Sequence, residues 1–206
     1  AGQGSIGSAA KPMWVDIADG GTLTARARQS LFIGELSGDM RINTVYAQQG
    51  ATLTAPGAIL DAGFDRLLDV QARLIDLSAG TTIGTAGGVE GALEVSTGAN
   101  GTLNASAPGG VYLAGLGGSS RLGNVTTIGD FGFDALSGDL TVAGRVQAGN
   151  VRLASDNDLV FDSLGRIEAR ESADLSAGVA GQGDVVAAAG STPQVTAPVV
   201  RVSAAN

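Results

Sequence analysis

The chain has 206 residues, 44% of them hydrophobic and 33 of them glycine, with 12 basic against 20 acidic side chains and a formal net charge of −8. Such an acidic chain argues against tracking nucleic-acid phosphates or docking on anionic membranes, both of which need concentrated Lys and Arg. Cysteine and histidine are absent, which excludes disulfides, thiolate chemistry, the commonest general base and the commonest zinc ligand.

Residues 1–10, AGQGSIGSAA, contain no basic region followed by an apolar stretch, so any export signal is expected elsewhere in a longer parent chain. Gly2, Gly4 and Gly7 satisfy the letters of a dinucleotide fingerprint, but no strand precedes them and no βαβ unit follows. Internal similarity then sets the reading. TLTARARQSLFIG (22–34) aligns with TLNASAPGGVYLA (102–114), LSGD recurs at 36–39 and 136–139, and VQARLIDLSA (70–79) aligns with VTAPVVRVSA (195–204). The respective offsets are 80, 100 and 125 residues, and steps of about 20 are what whole coils of a solenoid add. The chain is therefore expected to be one segment, 1–206, built from two long repeats at about 6–82 and 83–206 and cut from a longer protein. About ten coils of roughly 20 residues would make a rod on the order of 50 Å long.

Residues 61–77, DAGFDRLLDVQARLIDL, interrupt the rhythm. Phe64, Leu68, Ala72 and Ile75 share one face of a possible helix, and Asp61, Asp65 and Asp69 another. The alignment of 70–79 with the valine- and proline-bearing 195–204 favours strand there, leaving 61–68 as a protruding loop with room for a helical turn. Further on, apolar pairs two apart recur through 138–178: Leu140/Val142, Val146/Ala148, Val151/Leu153, Leu159/Phe161, Ile167/Ala169 and Leu175/Ala177. Thr141, Gln147, Arg152, Glu168 and Ser176 sit between members of these pairs, as in short strands with one face inward. Gly, Asp, Asn and Ser fill the turns.

TTIGTAGGVEGALEVSTGANGTLNASAPGGVYLAG, LTVAGRVQAGNVRLAS and RIEARESADLSAG resemble the repeats of filamentous-haemagglutinin-type large exoproteins, the adhesins exported by bacterial two-partner secretion. The resemblance implies an all-β fold, a right-handed parallel β-helix (β-solenoid) with coils of about 20 residues. It also implies a cell-surface or secreted fibre outside the bacterium, with an outer-membrane transporter as partner of the parent protein and a host or bacterial receptor or glycan as its target. A stalk of a contact-dependent toxin-delivery exoprotein shares the same repeat grammar. No family binding motif falls on a position of this sequence.

Chemistry is sparse. Asp156-Asn157-Asp158 lacks the spaced oxygens, glycine and terminal glutamate of a calcium loop and reads as a solvated turn. Glu90/Glu94 and Asp130/Asp134 are the closest approach to a glycosidase acid pair, but Trp14, Tyr46 and Tyr112 are scattered in sequence and the acids read as solvated coil edges. Lys11 is the only lysine, and the pairs Arg26/Arg28 and Arg166/Arg170 read as outward rather than as an anion site. Thr22-Leu-Thr24 and Thr52-Leu-Thr54 are too few for an ice-binding ladder. Asn100, Asn104 and Asn124 fit the glycosylation acceptor pattern, which some adhesins of the resembled family use. We expect no catalysis, no cofactor, no metal, no nucleic acid and no membrane insertion of this segment; a carbohydrate-active β-helix is the alternative from another class. The 61–68 loop, through Asp61, Phe64, Asp65 and Arg66, is the expected place for a partner to touch, because a feature that departs from a monotonous surface is where specificity can reside.

Overall fold

The structure, a computed structural model, describes residues 4–98, 100–187 and 194–205; Gly2 of the glycine motif lies outside them. It is all-β, a parallel β-solenoid of about eight turns. Every pairing between its named strands is parallel and joins one coil to the next. Eight turns rather than ten follow from how residues are spent. One inward column runs through Ile33, Leu53, Leu77 and Ala105. Its steps lengthen from 20 residues to 24 and then 28, because loops leave the coil between strands. No α-helix occurs among the described residues, and 62–67 form bends, without the helical turn. Segment 70–79 is strand, as Val70–Gln71 and Leu74–Ala79.

Two ladders alternate along the chain. The first stacks Met13–Val15, Ser30–Glu35, Gly50–Ala55, Leu74–Ala79, Thr102–Ala107 and Ser120–Thr127. The second stacks Leu23–Ala27, Met40–Ala47, the split strand Ile59–Asp61 with Val70–Gln71, a second split strand Thr82–Ile83 with Leu93–Ser96, then Gly110–Gly115 and Asp130–Ala135. Beyond residue 120 the first ladder opens into a corner: Leu122 carries on into Val142 and Phe161, while Val125 carries on into Val146 and Ile167.

Alternation turns these ladders into continuous aliphatic columns, since every second side chain faces inward. All twelve residues of the six sequence pairs from Leu140/Val142 to Leu175/Ala177 are buried, and Arg152 between Val151 and Leu153 is exposed. The outer face is held by shallow ion pairs such as Arg121–Asp162 at 2.5 Å and Arg152–Asp134 at 2.7 Å. Arg26 lies 4.7 Å from the Tyr46 ring centre and Arg166 pairs with Glu168, consistent with the outward reading of both.

The internal similarities have an unexpected placement. Leu23–Ala27 belongs to the second ladder, yet its counterpart Thr102–Ala107 belongs to the first; Ser30–Glu35 and Gly110–Gly115 are exchanged in the same way. The similar unit is thus a strand, turn and strand that serves on either side of the coil.

Candidate functional site

The two split strands generate the most unusual chemistry. Met40–Ala47 is continuous, but the strand stacked on it is interrupted: Met40–Ile42 pairs with Ile59–Asp61, Val45–Tyr46 pairs with Val70–Gln71, and 62–68 leaves the coil between. Asp61 and Asp69 form the neck of that loop. Asp61 stacks on Ile42 and shares the inward face of Ile59, so an acid occupies a core position, 4% exposed. Its carboxylate accepts hydrogen bonds from the amides of Gly63 (2.6 Å) and Asp65 (3.1 Å), which turns the chain outward at this point.

Asp69, 3% exposed, is tied to both adjacent coils: its carbonyl accepts from the Val45 amide (2.6 Å) and its amide donates to the Glu94 carbonyl (3.1 Å). Its carboxylate accepts from the Glu94 amide at 3.0 Å. Glu94 arrives from the next coil after a second insertion, which starts at Gly84. There φ is +63° and a Cβ would stand 2.2 Å from the Tyr112 carbonyl, so only glycine fits. Thr85 closes that insertion, its amide donating to Gly91 O at 2.6 Å. All four residues of Leu93–Ser96 are buried, so the strand has protein on both faces, and Glu94 is 0% exposed.

One carboxylate oxygen each of Asp61, Asp69 and Glu94 lies within 4.8 Å of the others. Burial is the main cause that pushes Asp69 up to about 9, opposed by the Glu94 amide and reinforced by the Asp61 charge. Burial likewise raises Glu94 to about 7, partly offset by its contact with Asp69. With all three ionised, neither Glu94 oxygen has a hydrogen-bond partner. A proton on Asp69 converts its contact with Glu94 into a carboxyl–carboxylate hydrogen bond. Three carboxylates buried this close together are costly when all are ionised, and a shared positive charge would relieve that cost.

The residues expected to touch a partner are dispersed by this arrangement. Asp61 faces inward, Asp65 is half-buried with its carboxylate accepting from the Leu67 amide, and Arg66 is exposed. Phe64, with φ of 51°, is 55% exposed, and Leu67 is 71% exposed, so neither covers a coil edge. Glu94, read as a solvated coil edge with Glu90, is instead fully buried, whereas Glu90 is exposed. Asp69 and Glu94 were missed as site residues, although Leu93-Glu94-Val95 carries the signal of an acid held inside an apolar strand. Asp156–Asp158 is a turn, with Asp158 accepting from the Asp184 amide at 2.9 Å.

A second feature lies on the outer face of the second ladder. A groove of about 590 Å³ is lined by Tyr112, Asp130, Gly132, Asp134, Arg152 and the 85–89 wall among others. Tyr112 pairs in register with Gly132, so an aromatic ring does stand beside the Asp130/Asp134 pair, contrary to the scattered look of the aromatics in sequence. Burial, then the Asp130 charge, raises the Tyr112 hydroxyl. Both acids already have partners: Asp130 accepts from the Asn150 side chain at 2.9 Å and Asp134 pairs with Arg152. The groove thus sets partnered acids and one tyrosine ring against a largely apolar lining that includes Leu113, Phe131 and Val151. Asn104 is engaged in a ladder of its own, donating to Asp76 at 2.7 Å and accepting from the Asn124 amide at 2.8 Å.

Compared with family models, curated proteins and solved structures, the chain has no match.

Proposed function

We propose that this chain is a structural and adhesive segment of a bacterial surface fibre, acting as a rigid spacer outside the cell and performing no catalysis. The observation that supports this most is the set of inward columns, such as Leu31, Ala51, Ile75, Leu103, Leu122, Val142 and Phe161, which persist through coil after coil. A ladder of this kind lengthens by repetition and converts chain into distance, about 4.8 Å per coil. The parent's partners in this reading are an outer-membrane transporter and a receptor or glycan on another cell.

Beads coated with the 206-residue chain test the reading against a variant in which 62–68 is replaced by Gly and Ser, leaving buried Asp61 in place. Adhesion to cells that is lost in the folded variant assigns contact to the loop; equal adhesion assigns it to the coil surface. Absence of adhesion by both leaves the spacer role, and cleavage of a polysaccharide overturns the reading. The last outcome matters because Tyr112 beside Asp130 and Asp134 in one groove favours a carbohydrate-binding surface as the second reading.

A further inference from the structure

We propose that Asp61, Asp69 and Glu94 bind one hard divalent cation, of the calcium class, which staples the neck of the 62–68 loop to the two coils it joins. The inference is independent of the adhesive reading. Oxygens that share a calcium ion at about 2.3–2.6 Å can be no more than roughly 5 Å apart, and the three here lie within 4.8 Å. The neck therefore already places one oxygen per residue inside the sphere that a single ion spans.

Glu94 supplies the independent sign that something is to be held. It is completely buried, it is aimed at two other carboxylates, and neither of its oxygens has a partner. No ion pair reaches any of the three among the described residues. A proton on Asp69 can serve only one Glu94 oxygen, whereas a dication can serve all three carboxylates at once. The two aspartates are also pre-oriented. Asp61 is fixed by the Gly63 and Asp65 amides and Asp69 by the Glu94 amide, and each carboxylate retains free lone pairs. All ligands are oxygen, in a chain without His or Cys, which selects calcium, magnesium or manganese over softer metals. Residues 63, 64, 66 and 67 are exposed, so the loop whose neck carries the site lies at the surface.

The test uses the 206-residue chain stripped with EDTA, titrated by calorimetry with calcium, magnesium and manganese chloride and followed by thermal unfolding. The expected result is one site per chain and a Tm raised by on the order of 5 °C at a hundredfold excess over Kd. Glu94→Gln and Asp69→Asn should each weaken binding by at least about tenfold, since losing a ligand costs no less than losing a partner behind one. Asp130→Asn, in the outer groove, should leave binding unchanged. Anomalous scattering from manganese-soaked crystals of the unmutated chain should place the ion between the three carboxylates, whatever the folding of the variants. No binding of any of the three ions at millimolar concentration, an ion located elsewhere, or stability that responds to pH and not to metal would overturn the proposal.

Discussion

Leu153 stacks between Phe133 and Leu175 and is fully buried, while its neighbour Arg152 stands outside and pairs with Asp134. Truncation should separate these roles. Leu153→Ala removes packing from a column that cannot collapse without disturbing its neighbours and should cost about 2–5 kcal/mol. Arg152→Ala gives up a solvated ion pair and should cost about 0–1 kcal/mol. Urea unfolding measures both, and similar losses would contradict the inward/outward assignment. The acidic neck adds a pH dependence of definite sign. Asp69 and Glu94 titrate near 9 and 7 in the folded chain against about 4 when unfolded, so the folded state holds the extra protons. Their contribution is fully present below about pH 4 and is lost as pH rises through 7 and then 9. Asp162 and Glu168 act oppositely, because Arg121 and Arg145 respectively lower them and their contribution disappears as pH falls below the carboxylate range. In EDTA the urea midpoint should therefore fall between pH 5 and pH 9, and fall less in Glu94→Gln. A midpoint that rises over this interval would contradict the burial of the trio.

At the scale of the strand and its turn, the region 138–178 was legible because its period is local: each inward pair and the polar residue between its members reveal a strand without knowledge of the partner. The neck was not legible for the converse reason. Asp61, Asp65 and Asp69 repeat every four residues and mimic a polar helix face. Only the long-range registers Ile42 with Asp61 and Val70 with Val95 show that two of them meet Glu94 in the interior. The similarity of 22–34 to 102–114 likewise disclosed a strand–turn–strand unit but not which ladder it joins. This makes a deletion informative. Gly110–Gly115 and Asp130–Ala135 pair at a constant step of 20, so removing 116–135 joins equivalent points of adjacent coils and should leave a folded, shorter rod. Removing only 116–125 puts the straight strand 130–135 on the first ladder and the corner-forming 140–148 above Gly110–Gly115, and should lower the unfolding midpoint far more. Equal midpoints would argue against coils as the unit of stability.

Over the whole molecule, sequence distance becomes axial distance in equal coil steps. Thr54 and Thr196 are both exposed and belong to one outward column, through Ser78, Ser106, Thr126, Gln147 and Glu168. Six steps of about 4.8 Å separate them, or about 29 Å. Since the chain contains no cysteine, Thr54→Cys and Thr196→Cys provide two unique sites for spin labels. Pulsed dipolar spectroscopy on the doubly labelled chain should give a single distribution centred at roughly 25–35 Å, allowing for the label arms. A distribution centred beyond about 45 Å, or one with no defined maximum, would contradict the stacked-coil rod on which the account rests.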